Sequence, residues 1–343
     1  KESTISQPTI LWFRQDLRLA DNPALAAACE MGLVIPVYII EHAENQQWSP
    51  GGASRWWLHH ALVALDASLQ GLGSRLVIAR GDSVQELRDL VRKTGAGAMY
   101  WNRRYEPALI ARDSAIKAEF QSAGLDVKSF NGALLNEPHT IANKAGGPFQ
   151  VFTPYWRHCL ALPVETPVKF TAKSLAPPPQ QLRSLEIAEL ELLPKRTWDA
   201  GFSALWQPGE AGAAKRLAQF AARAMENYAE TRNLPDRDGT SMLSPWLHCG
   251  EISPRQVWAA VAAKATAPSP PATPWCRCTA KTASSSAGSA PRGSNWCARP
   301  MASGGSSTGK TTCSTASPKD RRCWAVSTKG RRQYEIHHGH PAG

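Results

Sequence analysis

Residues 9–25 read TILWFRQDLRLADNPAL. The first five are apolar or β-branched and suit a strand buried on both faces, as in a parallel sheet covered by helices. Near its end, Asn22 precedes Pro23. That is an N-cap followed by the residue whose fixed φ and missing N–H fit the first helical position. The pattern of strand, turn and helix continues outward. LVIPVYII (33–40), RLVIA (75–79), AMYW (98–101) and LDVKSF (125–130) are further short apolar runs. Between them, Leu58, Leu62, Leu65, Leu69 and Leu72 recur at alternating spacings of four and three and draw one helical stripe. Ser83 to Glu86 reads as a capping box with Ser83 at the N-cap. Five strands joined by helical crossovers predict an α/β fold, a doubly wound parallel five-stranded sheet, over residues 1–132.

Residues 133–205 are less regular. LAPPPQQLRS is punctuated by proline, and GGPFQVFTPYW reads as turns with aromatic anchors, so this stretch is expected to be an interdomain linker on the surface. From residue 206 the text turns helical. PGEAGAAKRLAQFAARAMENYAE (208–230) predicts a helix with Leu217, Phe220, Ala221, Ala224 and Tyr228 on one face.

DGTSMLSPWLHCGEISPRQ (238–256) carries two helix starts. Ser244-Pro245 reads as N-cap and first helical residue, with Gly250 at the left-handed position that closes a helix. Ser253 to Gln256 repeats the start as a capping box. The loop before Pro245 therefore brings backbone N–H groups and the hydroxyls of Thr240, Ser241 and Ser244 to a helix N-terminus. Such a cradle suits a phosphate; the alternative is ordinary capping.

The net charge of +11 points to nucleic acid only if it belongs to the folded part. It does not. Residues 267–343 hold eleven Lys and Arg against two Asp and Glu, and the rest of the chain is nearly balanced. That tail has no Leu or Phe, and five of the eight cysteines fall in it. Such a composition cannot bury enough apolar surface to offset chain entropy. A native disordered segment is one reading. The favoured expectation is translation in a shifted frame from near residues 265–275, which resequencing the gene tests. GGSSTGKTT (304–312) mimics a phosphate loop but lacks the flanking strand and helix, and the CRC and HHGH clusters match no zinc spacing. Cys29, Cys159 and Cys249 suit a reduced compartment. The chain opens at Lys1 with no export leader and holds no apolar run of membrane-spanning length, so a cytoplasmic protein is expected, read as a fragment of a longer product.

ILWFRQDLRLADNPAL (10–25), PVYI (36–39), WQPGEAGA (206–213) and NYAETRNLPDRDGTSMLSPWLHCGEISPRQVW (227–258) together resemble the DNA photolyase/cryptochrome family, on its bacterial cyclobutane-pyrimidine-dimer photolyase side. The resemblance runs from residue 9 to about 266. It implies an α/β antenna domain (1–132) and the start of an all-α FAD-binding domain (206–266), truncated or replaced from 267 onward. It implies that Tyr228 lies against FAD and that Thr240, Ser241, Met242, Leu243 and Ser244 hold its pyrophosphate, while Arg232 meets DNA phosphate. The expected activity is light-driven splitting of pyrimidine dimers in ultraviolet-damaged DNA by electron transfer from reduced FAD, in a monomer. In Arg14, Asp16, Arg18 and Asp21 the alternating charges look catalytic, but the family implies an internal salt-bridge role.

Two departures qualify the resemblance. Where folate-using relatives carry an Asn-Glu pair, this chain has Ala108-Leu109, which leaves methenyltetrahydrofolate, deazaflavin or another antenna pigment open. The family's later flavin-binding helices, dimer-facing tryptophans and tryptophan relay would all lie beyond residue 266, where no part of them is recognisable. A cryptochrome-type photoreceptor and a lone pigment- or nucleotide-binding α/β module remain the alternatives.

Overall fold

The computed structural model describes residues 7–41 and 49–266, which belong to one unit. The expectations for the tail lie outside the described residues. Five parallel strands form the sheet: β1 (Thr9–Phe13), β2 (Val34–Ile40), β3 (Val77–Arg80), β4 (Ala98–Asn102) and β5 (Asp126–Phe130). Their order is β3-β2-β1-β4-β5, so the chain reverses direction of growth at β1. The crossovers are α1 (Pro23–Met31), α2 (Gly52–Gln70), α3 (Ser83–Thr94) and α4 (Pro107–Ser122).

Period-two alternation divides each strand between two cores. Leu11, Phe13, Ala98 and Tyr100 face α1 and α2, where Leu25, Leu62, Leu65 and Leu69 pack. Ile10, Trp12, Met99 and Trp101 face α3 and α4, where Leu87, Leu90, Ile116 and Phe120 pack. Each such side chain contributes about 1.5–3 kcal/mol when fully buried, so the doubly wound sheet is set by the alternation itself. The edge strand β5 is the exception, with only Val127 buried.

The helix starts bear out Asn22, whose side chain accepts from the Leu25 N–H at 3.1 Å. They correct Ser83. The N-cap of α3 is Asp82, which accepts from Gln85 N at 3.0 Å. Ser83 is buried within the first turn and its hydroxyl donates to Glu41 at 2.5 Å. An ionised Asp also suits the positive helix end better than a hydroxyl.

Residues 133–205 are more than a surface connection. They hold α5 (Phe152–Ala161), two 3-10 turns at Pro138–Thr140 and Ile187–Leu190, and α6 (Phe202–Leu205). Leu175, Leu190 and Leu192 are buried in the core shared with α2, whereas Leu182 is buried in the other core. Between them the segment follows the outer edge of β3. Leu185 N donates to Ile78 O at 2.9 Å, and Ile78 N donates to Ser184 Oγ at 2.9 Å. Its spacing of leucines matches no single period, because it straddles the sheet edge.

The helical part comprises α7 (Glu210–Arg223), α8 (Tyr228–Thr231), α9 (Ser244–Cys249) and α10 (Pro254–Thr266). The single helix expected over 208–230 is thus broken. Met225 N reaches back to Phe220 O at 3.0 Å, and Asn227 restarts the chain, its carbonyl accepting from Thr231 N at 2.9 Å. Asparagine favours such a boundary because its side chain competes with helical backbone bonds. Among the described residues no helix is long and apolar enough to cross a membrane.

Candidate functional site

The two motifs singled out in the sequence are one joint in space. Arg18 is 1 % exposed, yet its guanidinium donates to the carbonyls of Ala20, Asp21, Gly250 and Gly132. Asp21, equally buried, accepts from Ser253 Oγ, Val168 N and the Arg255 guanidinium. Glu210, at the start of α7, accepts from the N–H groups of Leu19 and Ala20 at 2.8 and 3.0 Å. The end of α9 sits so close to the β1–α1 turn that a Cβ on Gly250 would lie 2.0 Å from Gln15 O. Gly250 has φ +69°, as expected of a closing residue. The capping box also stands: Gln256 N donates to Ser253 Oγ at 2.9 Å and Ser253 N to Gln256 Oε1 at 2.8 Å. The charges of residues 14–21 are therefore structural, and their work is to fix the helical part on the α/β part.

That joint presents the loop 238–244. Gly239 is buried against Thr231, so a side chain there has no room. Met242 adopts φ +51° without being glycine, and Leu243 follows in the right-handed region at φ −80°, ψ −3°. Alternation of the two hands turns successive N–H groups toward a common point, a concavity that suits an anion. Among the described residues the N–H groups of Thr240, Ser241, Met242 and Ser244 donate to nothing, and the hydroxyls of Thr240 and Ser244 are also without partners. The loop carbonyls are not free. Arg216 on α7 donates from Nε to Ser241 O at 2.8 Å and from Nη2 to Thr240 O at 3.0 Å. The same Nη2 meets Asp238 at 2.6 Å and holds that carboxyl below its ordinary range.

One expectation needs correction here. Ser244 is not the N-cap of α9: Leu243 takes that position without any side-chain cap bond. The reversal that a cap residue normally supplies is made one residue earlier by Met242, so the Ser244 hydroxyl is left exposed. The donors of the cradle come from the loop more than from the short α9, whose dipole is small.

Tyr228 is 40 % exposed at the start of α8, held edge-on by Phe220 with ring centroids 5.8 Å apart. Arg232 lies one turn on, its guanidinium 5.8 Å from the Tyr228 ring centroid and its side chain exposed. Thr231 touches Gly239, which brings α8 and the loop together. Sequence reading missed Arg216. Its only signal was a cation on α7 amid apolar neighbours.

The crevice outside the carboxyl ends of β1 and β4 is where open α/β sheets take ligands. Here it is filled. Arg14 stacks 4.6 Å over Trp12 and donates to Asp113 and to Asn102 O, while Asn102 donates to Asp16 at 2.6 Å. A groove of about 910 Å3, lined by residues 19–21, 166–171, Glu210 and Gln256, shares no residue with the loop. Among the described residues no group of three or more His, Cys, Asp or Glu could hold a metal ion.

An open parallel sheet docked to helices is the architecture that carries this loop. Comparison with known proteins identifies the family. The DNA photolyase family pattern matches residues 9–178. The deoxyribodipyrimidine photo-lyase of Agrobacterium fabrum is 47 % identical over 258 residues, covering 73 % of this chain and 52 % of that one. Cryptochrome-2 of Arabidopsis thaliana is 37 % identical over 267 residues, covering 74 % of this chain and 42 % of that one. The crystal structure of a bacterial class III photolyase from Agrobacterium tumefaciens superposes with a TM-score of 0.71 at 46 % identity, over 76 % of this chain and 54 % of that one. The chain belongs to the DNA photolyase/cryptochrome family, and it spans about half the length of these relatives.

Proposed function

We propose that the protein is one part of a light-dependent DNA repair flavoprotein, with residues 1–132 as antenna domain, 133–205 as connection and 206–266 as one wall of an FAD site. The reading places it as a monomer in the cytoplasm, acting on ultraviolet-damaged DNA. What carries it is the loop 240–244, where among the described residues the N–H groups of Thr240, Ser241, Met242 and Ser244 and the hydroxyls of Thr240 and Ser244 are unspent while the carbonyls of Thr240 and Ser241 are bound by Arg216. An acceptor-only diphosphate complements that arrangement.

In this reading the N–H groups of Thr240, Ser241, Met242 and Ser244, with the hydroxyls of Thr240 and Ser244, would hold the two phosphates. Tyr228 offers its exposed ring as an apolar wall for the cofactor. Arg232 reaches outward to a DNA phosphate, which makes affinity fall with salt. When bound in reduced form and lit, the flavin supplies the electron that opens the cyclobutane ring. The joint of Arg18, Asp21 and Arg255 keeps that wall at a fixed distance from the α/β domain. The antenna pigment has no folate pair to hold it at Ala108-Leu109, and Arg14 closes the crevice beside β1.

The test uses the full chain. It is incubated with FAD, freed of excess ligand and read for flavin absorption, then illuminated with blue light beside an oligonucleotide carrying a thymine dimer. Retained flavin with light-dependent repair supports the proposal. A colourless protein with no repair refutes it. Retained flavin without repair favours the photoreceptor reading, which the likeness to a cryptochrome supports.

A further inference from the structure

We infer that Arg216 is the positioning residue of the phosphate loop, setting its N–H groups toward an anion by holding its carbonyls from behind; this rests on the FAD reading above. A peptide turned so that its N–H faces a ligand turns its C=O the other way, and those oxygens need donors if the turn is to persist. Arg216 meets that need with one planar group. Nε takes Ser241 O at 2.8 Å, Nη2 takes Thr240 O at 3.0 Å, and the fork continues to Asp238 at 2.6 Å. The carbonyls that it holds belong to residues 240 and 241, so the peptides so oriented present the N–H groups of Ser241 and Met242.

The arrangement has a reason to need help. Met242 sits at φ +51°, which strains a residue with a Cβ and is held only by its surroundings. The N-cap Leu243 has no side-chain cap bond, and its own N–H reaches Ser241 Oγ only at 3.5 Å. Arg216 is itself anchored on α7, three residues after the buried Ala213 and next to the buried Leu217. A cation behind the loop adds a second effect: it polarises both peptides in the direction that makes their N–H groups better donors. Lysine cannot do this as well, because an ammonium lacks the planar fork that spans two carbonyls.

The test compares the full chain with its Arg216→Ala, Arg216→Lys and Asp238→Asn variants, titrated with FAD, ADP and riboflavin, with thermal unfolding measured in parallel. Riboflavin carries the same ring without phosphate. The expected result is that Arg216→Ala weakens FAD and ADP by about tenfold or more, leaves riboflavin and the unfolding midpoint unchanged, and regains affinity when methylguanidinium is added. Arg216→Lys should fall between, and Asp238→Asn, which loosens the fork without removing it, should lose less than Arg216→Ala. Equal FAD affinity in Arg216→Ala and parent overturns the assignment while leaving the site intact. Loss of FAD and riboflavin together with a lowered midpoint and no rescue also overturns it, by showing a merely structural role; Arg216→Lys then reports in a folded background. If the parent binds FAD no better than riboflavin, and ADP not at all, the FAD reading itself fails and the inference falls with it.

Discussion

Asp21→Asn is the most exacting perturbation of the joint. Asparagine matches the size of aspartate and tolerates the φ of +48° found there, so backbone strain does not confuse the result. What changes is charge. The Arg255 guanidinium, 3 % exposed, loses the carboxylate that meets its Nε and Nη2 at 3.1 Å. Glu165 stands 3.6 Å from Nη1 but is exposed, and water screens it. A buried cation left without its partner costs about 3–5 kcal/mol. For a chain of this size that lowers the unfolding midpoint by about 10 °C. Arg255→Met should cost a similar amount by stranding Asp21. The double variant should cost less than the sum, because the Arg255–Asp21 pair is removed as a whole and Arg18 keeps Asp16 and Glu210 as charge neighbours. Urea titration of the full chain, followed by far-ultraviolet circular dichroism at low and high salt, measures all three. A loss below about 1 kcal/mol for Asp21→Asn would refute the argument. So would simple additivity of the two single losses, or a loss that salt abolishes.

Other outcomes follow from the same region. Burial pushes Glu251 up to about 7 despite N–H donors from Trp57 and Gly209, and Glu210 is raised by burial too. A raised carboxyl stabilises the fold below its unfolded value and loses that stability as pH rises, so the protein should weaken by about 3 kcal/mol between pH 4.5 and 7 through Glu251. Glu251→Gln should flatten that slope in denaturation measured across the range, and an unchanged slope would exclude Glu251 as its source. Gly250→Ala places a Cβ on Gln15 O and should cost at least about 2 kcal/mol, read as a fall in urea midpoint; a neutral result would mean α9 is not seated on the turn. Under the proposed function, Arg232→Ala should weaken DNA binding evenly across sequences and reduce the salt slope by about one. A change confined to one sequence would argue against a phosphate contact.

The α/β layer was legible because its signals are local. Alternation in TILWF and AMYW assigns each side chain to one of two cores, and Asn22-Pro23 marks a helix start from two adjacent residues. Strand order was not legible, since it depends on which crossover passes over which face. At the candidate site, the capping box of Ser253 and the closing glycine Gly250 could be read from type and spacing. Met242 could not, because nothing in a methionine announces a positive φ; the loop imposes it. Arg216 was invisible for a related reason: its partners lie 22 to 25 positions away. The helical spacing of Leu217, Phe220, Ala221, Ala224 and Tyr228 hides the break after α7, since Phe220 and Tyr228 meet across it rather than along one face.

The seam that residues 182–185 make with β3 has a consequence for anyone dividing this molecule. An open sheet presents unpaired peptide groups along its outermost strand, and these invite another chain to add itself. Here the stretch after the sheet returns and occupies that margin, with Leu182 and Leu190 pinning it on opposite sides. A piece cut at residue 132 would keep all five strands yet bare the flank of β3. Its failure would take the form of clumping in solution, with the missing guard rather than a missing core as the cause.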